Sequence, residues 1–172
     1  MTQNKSVLFV CLGNICRSPT AEAVLRAKAA ERGLSVECDS AGTSAAHSGE
    51  TPDERAMDAG KKRGIDFSGI TARRVCGNDF VKFDMILAAD RANLHELREQ
   101  CPTEHQHKLD LILSYGNSEY SEVPDPYYGG KNGFELVLDL IEQSCDGILA
   151  QISLDEQKRA LMRPFHRIRQ IT

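Results

Sequence analysis

Apolar positions along this chain fall into short blocks separated by polar, glycine-rich breaks, and the blocks alternate between two kinds of spacing. Residues 5–11 (Lys-Ser-Val-Leu-Phe-Val-Cys) are a near-continuous run of β-formers, which predicts a strand buried on both faces of a parallel sheet. Gly13-Asn14 interrupts it. Ser18 and Pro19 then read as an N-cap followed by proline at the first helical position, and Ala21, Val24, Leu25 and Ala29 recur at helical spacing until Gly33. Strand, tight loop and helix are expected in that order.

The unit recurs in weaker form. Residues 35–39 predict a short strand, 40–50 a Gly/Ser-rich loop, and Thr51-Pro-Asp-Glu54 a capping box that opens a helix ending near Gly64. Residues 83–89 (FDMILAA) predict another buried strand, 91–100 a helix, 109–113 a fourth strand, and 134–152 a long amphipathic helix. Strands alternating with helices indicate an α/β fold: one open, parallel, four-stranded sheet flanked by helices, of flavodoxin-like type. The expected division is a domain over residues 1–152 and a basic extension over 153–172, partly helical and loosely packed, with a helical stretch at 154–162.

Composition narrows the setting. At 172 residues, with 41% apolar and 27% charged positions, one domain with a sizeable core is expected. No apolar run approaches the ~18 residues of a membrane span, so a soluble protein without a membrane role is expected. Cysteines 11, 16, 38, 76, 101 and 145 are too few and too irregular for a disulfide scaffold, which points to free thiols in a reducing compartment, the cytoplasm. The net charge of −4 hides an asymmetry, since all 25 acidic residues lie before residue 157 and five basic ones follow it. A body that acidic is a poor partner for nucleic acid. His95, His105 and His107 read as solvated residues, and no metal site is expected.

The chemistry concentrates in Cys11-Leu12-Gly13-Asn14-Ile15-Cys16-Arg17. One cysteine ends the first strand and an arginine stands six residues on, before a helix, which is where open α/β sheets bind ligands. A short loop there turns its N–H groups inward as an anion nest, and the helix adds its positive end. Phosphate fits such a seat. The same positive field favours thiolate over thiol at Cys11. The planar guanidinium of Arg17 can hold two phosphoryl oxygens, and the Ser18 hydroxyl can donate to the sulfur. Asn14 tolerates positive φ. A second element, Val123-Pro-Asp-Pro-Tyr-Tyr128, flanks Asp125 with prolines that restrict its backbone, so its carboxyl points in a defined direction. A leaving group at phosphorus needs a proton donor, and Asp125 supplies one. Tyr127 and Tyr128 offer an aromatic wall for a flat substrate.

VCLGNICRSP (10–19) together with DPYYG (125–129) resembles the low-molecular-weight protein tyrosine phosphatases, and the resemblance runs from about Ser6 to Ala150. It implies a four-stranded parallel sheet, hydrolysis of phosphotyrosine and small aryl phosphates through a phosphocysteine, and no metal or cofactor. By that resemblance Cys11 is the nucleophile, Arg17 the phosphate-binding arginine, and Asp125 the acid and base. Leu12, Gly13, Asn14, Ile15, Cys16 and Ser18 line the phosphate seat, Ser40 supports Asn14, Asp90 occupies a further family position, and Cys16 forms a reversible disulfide with Cys11. Partners are then phosphotyrosine proteins, with inorganic phosphate and vanadate as inhibitors and a monomer as the expected state.

Two departures stand out: Ala45-Ala46-His47 replaces the family's usual aromatic, so one side of the aromatic slot is expected to be either missing or rebuilt from His47, and Ile70 stands where animal members have histidine. An arsenate reductase would need two more cysteines near the third strand, where this chain has Ala88-Ala89-Asp90. An arginine phosphatase resembles this loop with threonine at position 15, and bulky Ile15 favours an aryl ester. A binder that performs no chemistry has no use for Asp125.

Overall fold

A computed structural model describes residues 4–127, 129 and 131–164. Among them, four strands form a parallel sheet in the order β2-β1-β3-β4: β1 (Lys5–Cys11), β2 (Val36–Gly42), β3 (Met85–Ala88) and β4 (Leu109–Leu111). Helices α1 (Arg17–Glu31), α2 (Glu54–Lys61), α3 (Gly77–Lys82), α4 (Arg91–Gln100) and α5 (Lys131–Leu161) surround it. The expected fold class is what the structure has.

β1 runs through the middle, and its period of two divides the core. Val7, Phe9 and Cys11 face a cluster with Leu25, Ile141 and Ile148 from α1 and α5, while Leu8 and Val10 face Phe80, Phe83, Leu94 and Leu97. Val7, Leu8, Phe9 and Val10 have no exposed surface, and each such side chain contributes about 1.5–3 kcal/mol of burial. This is why the run lacks alternation: both faces are covered. The chain leaves β1 toward β2 on one side and returns through β3 on the other, so a crevice opens between the carboxyl ends of β1 and β3.

Several local expectations need correction. Helix α1 starts at Arg17 rather than at a Ser18 cap; its N-cap Cys16 makes no side-chain cap bond, and the Ser18 hydroxyl is engaged elsewhere. For α2 the cap is Asp53, whose carboxylate accepts from the Arg55 N–H, so Thr51 is not the capping residue. β2 runs on to Gly42 because it pairs with β1 along its full length, and β4 stops at Leu111, where the chain tightens into a 3₁₀ turn, Ile112–Tyr115. Helix α3 and a 3₁₀ segment, Thr103–Lys108, were not anticipated. The last helix passes position 152 without a break; Ile152 is buried, while Leu154 is half exposed and Leu161 is 85% exposed.

Candidate active site

The loop between β1 and α1 surrounds the Cys11 sulfur, which is buried at the strand end. Asn14 adopts φ of 57°, the left-handed conformation its short amide tolerates, and its N–H points at Cys11 Sγ, 3.3 Å away. Its side chain uses every donor it has: Nδ2 donates to Ser18 Oγ at 2.8 Å and to Ser40 Oγ at 2.9 Å, while Oδ1 accepts from the Arg73 N–H at 3.0 Å. Ser40 in turn donates to the buried carboxylate of Glu22 at 2.7 Å. Ser18 Oγ, which accepts from Asn14, stands 3.0 Å from Cys11 Sγ, so its hydroxyl hydrogen is available to the sulfur. At Gly13 a β-carbon would stand 3.0 Å from His47 Cδ2, so a larger residue there would have to displace the His47 ring.

Arg17 is almost fully buried and spans the crevice. Its Nη1 donates to Asp90 Oδ2 at 2.7 Å and to the Val123 carbonyl at 3.0 Å, and its Nη2 lies 3.5 Å from Asp125 Oδ2. Burial alone would weaken its hold on the proton. The electrostatic interaction with Cys11 and the Asp90 hydrogen bond outweigh that and raise its pKa. Asp90 is fixed as well, its other oxygen capping α4 through the Asn93 N–H at 2.8 Å. Asp125 Oδ1 accepts from the Tyr127 N–H at 3.0 Å.

These groups open on one cavity of about 160 Å³ lined by Cys11, Arg17 and Asp125 with Leu12, Gly13, Ile15, Cys16 and Tyr127, all anticipated, and with Ser44, Ala46 and His47. The His47 ring stands 6.3 Å from that of Tyr127, tilted by 52°, so the two residues line the same cavity. Asn14, Ser18, Ser40 and Asp90 stand behind the lining as supports. Tyr128 lies outside the described residues. Among the described residues no cluster of three or more His, Cys, Asp or Glu side chains is arranged to hold a metal ion. In the second cysteine of the loop, burial pushes the Cys16 thiol up to about 12, with the Asp53 carboxylate adding to the effect. Cys16 is therefore a neutral thiol near pH 7.

A sulfur, a fork of donors and a carboxyl facing one small cavity suit phosphoryl transfer, and comparisons with known proteins agree. Residues 6–159 match the family model described as low molecular weight phosphotyrosine protein phosphatase. The chain belongs to this family. It is 43% identical over 155 residues to the low molecular weight protein-tyrosine-phosphatase YfkJ of Bacillus subtilis, covering 88% of this chain and 98% of that one. The crystal structure of YfkJ superposes with a TM-score of 0.85 over 91% of this chain and 99% of its own. The crystal structure of a protein tyrosine phosphatase from Entamoeba histolytica does so with a TM-score of 0.84 at 42% identity, over 90% and 99%. Within this phosphatase scaffold, sequence reasoning missed Glu22, Arg73 and the Asp53–Arg55 pair. Glu22 alone left a trace, as an acidic residue on the face of α1 that the apolar spacing assigns to the core.

The centrality of Asn14 predicts that Asn14→Ala, which strips Ser18, Ser40 and the Arg73 N–H of a partner at once, destabilises the fold by about 1–3 kcal/mol in urea unfolding. An unchanged unfolding midpoint would mean that the loop is held in some other way.

Proposed function

We propose that the protein is a cysteine-dependent phosphotyrosine phosphatase in which Cys11 is the nucleophile, Arg17 the phosphate-binding residue and Asp125 the general acid and base. The observation that carries this reading is the meeting of Cys11, Arg17 and Asp125 on one cavity, with Arg17 Nη2 3.5 Å from Asp125 Oδ2. The phosphoryl group sits in the loop of residues 11–17, its oxygens shared between Arg17 and inward-facing N–H groups, and its aryl ring lies toward the Tyr127 side of the cavity. Cys11 Sγ attacks phosphorus and the ester oxygen leaves, taking a proton from Asp125. A water, deprotonated by the same carboxylate, then breaks the sulfur–phosphorus bond, and Ser18 stabilises the departing thiolate by donating to it. The products are inorganic phosphate and the free hydroxyl. No metal or cofactor enters these steps.

Substrates are proteins carrying phosphotyrosine, as for the relatives named above, and small aryl phosphates. Inorganic phosphate and vanadate inhibit by occupying the same loop, together with the positions of Leu12, Gly13, Ile15 and Cys16. Ser40 and Asp90 act as supports, the first through Asn14 and the second through Arg17. Tyr128 belongs to the aromatic wall by the family resemblance. The enzyme acts as a monomer in the cytoplasm, the compartment that suits its unpaired cysteines. Residues 1–152 are the phosphatase domain and 153–172 a basic extension.

Asp125→Asn should lower kcat/KM for phosphotyrosine on the order of 10²–10⁴-fold, with a smaller loss for 4-nitrophenyl phosphate, whose leaving group needs less protonation. Equal losses on both substrates would place the acid elsewhere; activity toward phosphoarginine above that toward phosphotyrosine would replace the substrate class.

Cys16 is proposed to protect Cys11. Oxidation of Cys11 by peroxide gives a sulfenic acid, and the Cys16 thiol displaces water from it to form a disulfide that a dithiol reduces. Peroxide should therefore inactivate the wild type with full recovery in dithiothreitol, whereas Cys16→Ser should stay active but recover poorly. Equal recovery, with no Cys11–Cys16 peptide by mass spectrometry, would leave Cys16 as a packing residue.

A further inference from the structure

The segment carrying Asp125 is tied to the body on both sides. Upstream, the Val123 N–H donates to the Ala89 carbonyl at 2.8 Å, and the Val123 carbonyl accepts from Arg17 Nη1 at 3.0 Å. Downstream, the Tyr127 carbonyl accepts from Arg55 Nη2 at 3.0 Å. Asp125 stands midway, two residues from each anchor, between two prolines that restrict the backbone. Where its carboxyl points is thus set by the two anchors. The upstream one belongs to the phosphate-binding arginine itself, whereas the downstream one belongs to a residue on another helix.

Arg55 is in the first turn of α2, and its side chain is 44% exposed, a setting in which a long cation ordinarily samples many rotamers. Here it is held from several directions. Asp53 grips it with both oxygens, Oδ1 to Nε at 3.1 Å and Oδ2 to Nη2 at 3.0 Å. The guanidinium carbon lies 4.8 Å from the ring centre of buried Phe134 and 5.6 Å from that of Tyr127. The Arg55 hydrogen bond also lowers the pKa of Asp53, which keeps the pair charged. Asp53 is in turn fastened to the phosphate loop, its N–H donating to the Ile15 carbonyl at 2.8 Å. A continuous chain of contacts therefore runs from Ile15 through Asp53 and Arg55 to Tyr127, which also donates its N–H to Asp125 Oδ1.

We propose that Arg55 is a positioning residue for the general acid, holding the Asp125 segment in register with the Cys11 loop through Asp53 and Tyr127. This rests on the reading of Asp125 as the acid. Arg55 does not touch the reacting phosphoryl group; it decides how well the carboxyl meets the leaving oxygen, and small misplacements of such a group cost rate steeply. Its removal therefore affects the reaction in proportion to the demand for a proton, whereas a general loss of the fold or of substrate contacts affects good and poor leaving groups alike.

The test is kcat/KM over a series of aryl phosphates for the wild type, Arg55→Met, Arg55→Lys, Asp125→Asn and the Arg55→Met/Asp125→Asn double variant, with inhibition by inorganic phosphate and a thermal melt for each. Arg55→Met, which keeps the stem but loses all donors, should lose about 10- to 100-fold on phosphotyrosine and at most about threefold on 4-nitrophenyl phosphate, with inhibition by phosphate unchanged. Arg55→Lys, which keeps the charge and one donor nitrogen without the two-pronged grip, should recover part of the loss. In the Asp125→Asn background, Arg55→Met should cost no more than about twofold, because the group it positions is already gone. A uniform loss across the series, or full additivity in the double variant, would overturn the positioning role while leaving Asp125 as the acid. Absence of any leaving-group dependence in Asp125→Asn itself would overturn both assignments.

Discussion

The chemistry of this site depends on one side chain that takes no part in it. Asn14 sits in a left-handed conformation, and three side-chain hydrogen bonds, to Ser18, Ser40 and the Arg73 N–H, hold it there. That conformation turns the chain between Cys11 and Arg17 so that the Asn14 N–H faces the sulfur. Ser18 accepts from Asn14 and has two acceptors for its own hydrogen, the Cys11 sulfur at 3.0 Å and, more distantly, the Ala41 carbonyl at 3.4 Å, so the same bond that fixes the loop also holds this hydroxyl beside the sulfur. Behind it the chain continues through Ser40 to Glu22, whose buried charge is balanced by Arg26 at 2.6 Å. A carboxylate that deep would be costly without such partners.

The second layer is electrostatic and comes from topology. The order β2-β1-β3-β4 opens a crevice beside β1, and Arg17 reaches across it to Asp90 at the end of β3. Two carboxylates and the Cys11 sulfur converge on this one buried guanidinium. The arrangement pre-pays the ordering of Arg17: its Nη1 is committed to Asp90 and Val123, which leaves its second nitrogen facing the cavity beside Asp125. Arg55 and Asp53 extend the same logic outward, joining the loop after β1 to the segment that carries Asp125.

Most of this was legible where the signal is local. The uninterrupted apolar run of β1, the Gly13-Asn14 break and the cysteine-to-arginine spacing lie within thirteen residues, and they placed the loop correctly at the strand-to-helix junction. Proline on both sides of Asp125 marked a directed carboxyl, and that residue does face Arg17. What escaped was long-range pairing. Arg55 looks like an ordinary surface cation of a helix, and only the fold brings it to Tyr127, 72 residues away. Arg73 contributes through its backbone N–H, which no side-chain identity announces. The capping signals at Ser18 and Thr51 misled for a related reason: the Ser18 hydroxyl had a tertiary partner to satisfy, and Asp53, nearer the first turn of α2, supplied the cap instead. The short helix α3 carries glycine and asparagine at its start, weak helix formers whose propensity tertiary packing of Phe80 overrides.

The central claim is that phosphate passes through the sulfur of Cys11, and acid quenching during turnover of an aryl phosphate, followed by mass spectrometry of the digested protein, tests it most directly. A phosphoryl group on the peptide that contains Cys11, absent when Cys11→Ser is treated alike, is the predicted result. Full turnover with phosphate on another residue, or continued hydrolysis by Cys11→Ser at the wild-type rate, would contradict the account.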